Sequence, residues 1–177
     1  MKVKEREFKV YITEAELAEV VERLAGRINA DYAGKKPLIC PVLTGSFVFA
    51  ADLVRRLEVD CEVEFVKYTS YEGMHSTGKV QAQLPFPASV KDRDVIVVED
   101  IVDTGISMGY MLKELEALQP RSVRVCTLLL KPGKFQGGFK VDYVGKEIDD
   151  DFIVGYGMDY DGEARGMSAV YRIENRE

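Results

Sequence analysis

The densest run of chemically useful residues is Val95 to Ser107. A β-branched apolar segment, Val95-Ile96-Val97-Val98, ends in Glu99-Asp100 and continues through Ile101-Val102-Asp103-Thr104-Gly105-Ile106-Ser107 towards a helix-forming stretch. In open parallel sheets, ligands bind beyond the carboxyl ends of strands, where loops meet helix N-termini. Thr104 to Ser107 offers backbone N–H groups, a glycine that permits close approach and two hydroxyls. That set suits a phosphate monoester resting on the helix dipole. Glu99 and Asp100 cannot serve the same phosphate, because like charges repel. They suit the hydroxyls of a sugar, or a divalent cation bridging sugar and leaving phosphate. Taken alone, two acids at a strand end read first as a solvated loop.

The elements that must position this segment can be read on either side of it. Thr13-Glu14-Ala15-Glu16 is a capping box, and Leu17, Val20, Val21, Leu24 and Ile28 follow at helical spacing, which predicts a helix from Glu14 to Asp31. Leu38 to Leu43 reads as a buried strand running into the tight loop Thr44-Gly45-Ser46, and Phe47 to Leu57 as a second helix. Cys61 to Tyr68 alternates with period two and predicts a strand, as does Val80 to Leu84 before Pro85. Asp94 to Val98, Met108 to Leu118 and Val123 to Leu130 read as strand, helix and buried strand. Phe152 to Tyr156 and Ala169 to Ile173 read as shorter strands between acidic, glycine-bearing loops. This order predicts an α/β fold: an open, mostly parallel, twisted sheet with helices on both faces and a small appended subdomain.

Composition narrows the class of partner. The 177 residues amount to about one domain, and 46% hydrophobic with 31% charged is the balance of a packed globular chain. The formal charge of −6 argues against a nucleic-acid or anionic-membrane surface, which needs clustered positive charge. No apolar run approaches the ~20 residues of a membrane helix. Met1-Lys2-Val3-Lys4-Glu5-Arg6-Glu7 shows neither a secretory signal nor a transit peptide, so the cytoplasm is the expected location. Cys40, Cys61 and Cys126 have no CxxC spacing and read as buried thiols in a reducing compartment. Gly73 to Val80 nearly spells a P-loop, but Val80 replaces the magnesium-binding hydroxyl and a strand follows where a helix is needed. His75, the one histidine, has no partner ligand nearby and reads as a solvated side chain.

The thirteen positions from Val95 to Ser107 resemble the phosphoribosyl pyrophosphate signature of type I phosphoribosyltransferases. Val98-Glu99-Asp100-Ile101-Val102-Asp103-Thr104-Gly105 is similar to the hypoxanthine-guanine members in particular. Further segments agree in order from about Leu38 to Arg165. The resemblance implies that type I fold, with a hood formed by the N-terminal segment and the C-terminal part from about 142 to 177. It implies a single domain over 1–177 and transfer of 5-phosphoribosyl from phosphoribosyl pyrophosphate to N9 of a 6-oxopurine, releasing pyrophosphate. Mg²⁺ is the implied cofactor and a homodimer or homotetramer the implied assembly. Two other readings are a xanthine-preferring relative and an RNA-binding regulator on the same fold; the −6 charge and the intact site residues weigh against the second.

Roles follow residue by residue from the same resemblance. Leu43-Thr44-Gly45 corresponds to the pyrophosphate loop, with Thr44 where many relatives carry lysine and Leu43-Thr44 as the candidate for a non-proline cis peptide. Ser70-Tyr71, with Ser76-Thr77-Gly78 behind, corresponds to a mobile lid. Glu99 and Asp100 correspond to the ribose-hydroxyl or metal acids, and Thr104, Gly105, Ile106 and Ser107 to the 5-phosphate loop. Asp103 is implied to work near N7 of the purine. Lys131 is implied to contact the 6-oxo group, Phe152 to stack on the base and Ile153 to offer a backbone carbonyl to guanine. Asp159 is a metal-side acid also near the base, and Arg165 a pyrophosphate-side cation.

Overall fold

The computed structural model describes residues 1–70 and 80–174. In chain order its elements are β1 (Lys2–Val3), β2 (Arg6–Ile12), α1 (Glu14–Asp31), β3 (Leu38–Leu43), α2 (Phe47–Val54), β4 (Glu62–Val63) and β5 (Val66–Ser70). There follow β6 (Val80–Leu84), β7 (Asp94–Val102), α3 (Ile106–Ala117), β8 (Ser122–Leu130), β9 (Tyr143–Glu147), β10 (Ile153–Val154) and β11 (Val170–Ile173). Tyr71, His75 and Ser76-Thr77-Gly78 lie outside the described residues, and Ser70 enters only as backbone at the end of β5.

The large sheet has the order β6-β5-β3-β7-β8-β9, with β4 also pairing β3; all pairs are parallel except β5 with β6. Leu17, Val21, Leu24 and Ile28 of α1 and Phe49 and Leu53 of α2 pack on Ile39, Ile96, Val98, Cys126 and Leu128. Met108, Met111, Leu112 and Leu115 of α3 cover the opposite face against Leu38, Cys40, Val42, Val95 and Val97. Alternate residues of β7 thus serve two helical layers, which is why its apolar run is continuous rather than alternating. Each such fully buried side chain is worth about 1.5–3 kcal/mol. The capping box closes α1 in both directions: Glu16 N–H donates to Thr13 Oγ1 at 3.3 Å, and Thr13 N–H donates to Glu16 Oε2 at 2.8 Å. A second, antiparallel sheet, β1-β2-β11-β10, encloses Phe8 and Val154. Among the described residues, no helix is long and apolar enough to cross a membrane.

Several boundaries depart from the sequence reading; among the smaller ones, the strand read from Phe152 to Tyr156 is only Ile153–Val154, and the helix read from Met108 starts at Ile106. The strand predicted from Asp94 to Val98 runs on to Val102, because its ladder to β8 continues through Glu99↔Thr127 and Val102↔Leu130. Glu99 and Asp100 are therefore in the strand and not in a loop after it. The helix predicted to reach Leu57 ends at Val54, where Arg56 and Leu57 N–H groups turn back to carbonyls only three residues away. The strand predicted from Cys61 to Tyr68 splits into β4 and β5 around Glu64-Phe65. Finally, Tyr143–Glu147, within the part from about 142 implied to belong to the hood, is instead the edge strand of the large sheet, paired with β8.

β3 and β7 are neighbours, and the chain crosses to opposite sides from them, which makes their carboxyl ends the switch point of the sheet. At the other end of β7, buried Asp94 accepts from Arg121 Nε at 3.0 Å and Ser122 Oγ at 2.6 Å. The Arg121 guanidinium and the Ser122 hydroxyl hold its carboxyl down at about 2, from an ordinary 3.8. Since the folded value is the lower one, this stabilisation is complete above the ordinary value and vanishes as pH falls through the depressed one. Arg121 is well exposed, so solvent screening limits the gain. Asp94→Asn is expected to lower unfolding free energy near neutral pH by about 1–2 kcal/mol in urea titrations. The gap to wild type should close as pH is lowered from about 4 towards about 2; a gap of constant size rejects the assignment.

Candidate active site

A cleft of about 330 Å³ opens at the switch point, lined by Gly45, Asp100, Ile101, Asp103, Lys131, Asp151, Phe152, Ile153, Met158, Asp159 and Arg165. A smaller recess of about 140 Å³, lined by Glu99, Asp103, Thr104, Gly105 and Ser107 among others, lies beside the α3 N-terminus. Asp103 and Ile101 belong to both linings.

The loop after β3 is shaped from beneath. The fully buried Ser46 hydroxyl donates to the Val42 carbonyl at 2.6 Å, so it folds the loop and does not face the cleft. The Leu43–Thr44 peptide is cis. A β-carbon on Gly45 would lie 1.8 Å from Asp100 Oδ2, and one on Gly157 would lie 2.0 Å from the Gly45 carbonyl. Only glycines let these three segments stack.

Glu99 and Asp100 sit side by side at the floor. Asp100 N–H donates to Glu99 Oε1 at 3.2 Å, and Ile101 N–H to Asp100 Oδ1 at 2.8 Å. Burial, and then the neighbouring Asp100 charge, pushes the Glu99 carboxyl well above its ordinary range. Burial also raises Asp100, with hydrogen bonds and the Arg165 charge opposing. Two crowded, desolvated carboxylates fit a divalent cation, which would relieve the repulsion that now favours their neutral forms. Asp159 does not join them: among the described residues no three such groups converge on one point. Its carboxylate instead meets Arg165 at 2.6 Å and accepts from Gly162 N–H at 2.7 Å. Arg165 also donates to the Gly157 carbonyl at 2.8 Å, which fixes the guanidinium over the stacked glycines.

In the recess, Gly105 takes φ +81° at the N-cap of α3. Its missing β-carbon leaves room for Phe135, 2.6 Å from where that atom would be. The Thr104 hydroxyl accepts from Ile106 N–H at 3.3 Å, tightening the turn while Ser107 lines the recess. In the cleft, Lys131 is 7% exposed and its N–H donates to the Val102 carbonyl at 3.0 Å, so the ends of β7 and β8 set its height. Its ammonium lies 3.5 Å from Asp103 Oδ2. The Phe152 ring is 46% exposed and is backed edge-on by Tyr160 at 5.7 Å and by Phe8 at 6.3 Å. The Ile153 side chain is buried in the core beneath it.

The structure thus brings Gly45, Asp100, Asp103, Lys131, Phe152, Ile153, Asp159 and Arg165 to one cleft, and Glu99, Thr104, Gly105 and Ser107 to its annex. Ile106, 57% exposed, opens α3 outside both linings, and Leu43 and Thr44 contribute the backbone that leads to Gly45. Sequence reading passed over Gly157, Tyr160 and Phe8. The glycine shows itself only by contact, whereas the alternation of Phe8 and Ile12 in Arg6–Ile12 was a usable strand signal.

A phosphoribosyl transferase domain model matches residues 11–161. The hypoxanthine-guanine phosphoribosyltransferase of Staphylococcus aureus is 36% identical over 153 residues, 85% of each chain. The bifunctional protein TilS/HprT of Listeria innocua is 37% identical over 163 residues; these are 92% of this chain but only 25% of that longer protein. The crystal structure of a hypoxanthine-guanine phosphoribosyltransferase from Bacillus anthracis superposes with a TM-score of 0.89 at 36% identity, covering 95% of this chain and 100% of that one. A glycine-bearing strand-to-helix turn beside a recess, a buried lysine and an exposed ring lining one cleft, and these matches lead to one assignment: the chain belongs to the type I phosphoribosyltransferases, in the hypoxanthine-guanine phosphoribosyltransferase family.

Proposed function

We propose that this chain transfers the 5-phosphoribosyl group of phosphoribosyl pyrophosphate to N9 of hypoxanthine or guanine, releasing pyrophosphate and forming the 6-oxopurine nucleotide. The observation that carries this reading is the joint presence of buried Lys131, exposed Phe152 and Asp103 in one cleft that adjoins the Thr104–Ser107 recess. A phosphate in the recess and a base in the cleft would put the sugar between them, over Glu99 and Asp100. Anchoring the phosphate converts remote binding energy into position at C1 of the sugar.

Breaking the C1–oxygen bond separates charge, leaving an oxocarbenium-like sugar and a highly negative pyrophosphate. Arg165 and the backbone of the Gly45 loop would stabilise that anion. Mg²⁺ held by Glu99, Asp100 and substrate oxygens would supply further neutralisation when bound. Asp103 would take or share the proton near N7 as N9 attacks. Lys131, donor only, matches a 6-oxo acceptor and rejects the 6-amino group of adenine. Phe152 offers its face to the base, with Tyr160 and Phe8 holding the ring from behind. Free Cys40 and Cys126 are buried as expected and Cys61 only partly so; all three accord with work in the cytoplasm, where thiols stay reduced.

The reading is tested by pyrophosphate release from phosphoribosyl pyrophosphate and Mg²⁺ in the presence of hypoxanthine, guanine, xanthine, adenine or uracil. Release with hypoxanthine and guanine, and none with adenine or uracil, is the expected pattern; equal rates with adenine would refute it. Asp103→Asn should cut kcat by about 100-fold or more while leaving the KM for phosphoribosyl pyrophosphate near wild type, so unchanged turnover removes Asp103 from its role. In Gly45→Ala the new methyl must displace the Asp100 carboxylate. Steady-state kinetics on that variant should show kcat/KM for the phosphoribosyl donor reduced about tenfold or more; wild-type values would mean that the stacking is not required.

A further inference from the structure

Two charged side chains outside the cleft lining complete a ring around its purine end. Lys131 Nζ lies 3.1 Å from Asp150 Oδ1, closer than its 3.5 Å to Asp103 Oδ2. Lys134 Nζ lies 3.0 Å from the same Asp150 oxygen and 3.7 Å from Asp103 Oδ1. The turn after β8 brings the two lysines together, since Lys134 N–H donates to the Lys131 carbonyl at 3.1 Å. In the acidic run Asp149-Asp150-Asp151, Asp151 instead pairs with Arg172 at 3.3 Å.

A buried ammonium needs a counter-charge. The carboxylates within ion-pair reach of Lys131 are Asp150 and Asp103. Were Asp150 absent, the lysine would settle on Asp103. That pair would tie up both groups intended for the purine, the donor to its 6-oxo group and the carboxylate near N7. Asp150 draws the ammonium the other way and leaves it too far from Asp103 for a good hydrogen bond. Lys134 in turn anchors Asp150, and its contact is the leading cause that holds the Asp150 carboxyl below the ordinary carboxylate range.

We propose that Asp150 is a positioning residue for purine recognition, anchored by Lys134, that keeps the Lys131–Asp103 contact long and weak in the free enzyme so that an incoming base can part the two; this rests on the function proposed above. Its effect belongs to the free enzyme, so it reads out in purine affinity and not in turnover. Asp150 is more than half exposed, so its replacement does not open the core.

The test varies hypoxanthine at saturating phosphoribosyl pyrophosphate, then the reverse, on wild type, Asp150→Asn, Asp150→Glu and Lys134→Met. Asp150→Asn should raise the hypoxanthine KM about three- to tenfold, with kcat and the donor KM within about twofold. Asp150→Glu should recover most of the loss. Lys134→Met should give a smaller rise in the same direction and add nothing in the Asp150→Asn background. An unchanged hypoxanthine KM in Asp150→Asn, an equal rise in both KM values, or no recovery in Asp150→Glu overturns the proposal while an active wild type leaves the function standing. A wild type that releases no pyrophosphate with any purine overturns both.

Discussion

The site depends on two glycines that leave no room for a β-carbon, one against a backbone carbonyl and one against a buried carboxylate. Gly157 rests on the Gly45 carbonyl, and Gly45 rests on the Asp100 carboxylate. Each comes from a different part of the chain: the loop after β3, the central strand β7, and the hairpin that follows β10. Gly157 N–H donates to the Arg165 carbonyl, and the Arg165 guanidinium donates back to the Gly157 carbonyl. Contact at the glycines therefore also aims the cation. Gly157 takes φ +101°, so backbone conformation and close approach demand the same residue there.

Around that stack, charge is distributed against the average of the chain. The protein carries a formal −6, yet Lys131, Lys134 and Arg165 converge on the cleft. Each has a carboxylate partner in the free protein, so none is left as an uncompensated charge. The floor is the reverse case, because Glu99 and Asp100 crowd each other under desolvation, and the Arg165 charge opposes this at Asp100 alone. Anionic substrates with a divalent cation would exchange these internal pairings for external ones. Such exchange lets a negatively charged protein accept a strongly negative ligand.

Much of this was readable in advance. The capping box and apolar spacing of Thr13 to Ile28 give α1 with its observed bounds, because local cap chemistry and core burial agree there. The Val95 to Ser107 string places a glycine-bearing turn at a helix start, beside a recess, because strand, glycine and hydroxyls all act locally. Misreadings occur where distant partners decide. Glu99 and Asp100 look like a strand end until the β8 ladder carries the strand past them. Cys61 to Tyr68 looks continuous until β3 pairs with it in two pieces. The Asp150–Lys134 contact and the glycine stack have no signature along the chain, since each exists only when separate loops meet. Asp159 is the instructive intermediate: its place at the site was legible, but its commitment to Arg165 was not.

β7 joins two opposed electrostatic environments through one rigid run of backbone. Near its start Asp94 is held in its ionised form by an arginine and a serine, and towards its end burial pushes Glu99 and Asp100 to resist ionisation. The strand between is packed on both faces, so neither end can relax by moving the other. Tolerance to laboratory evolution should accordingly be graded along a single strand. Heat resistance can be selected at the Asp94 end without touching turnover, whereas selection for new substrates must work at the far end and accept whatever robustness the first has conferred.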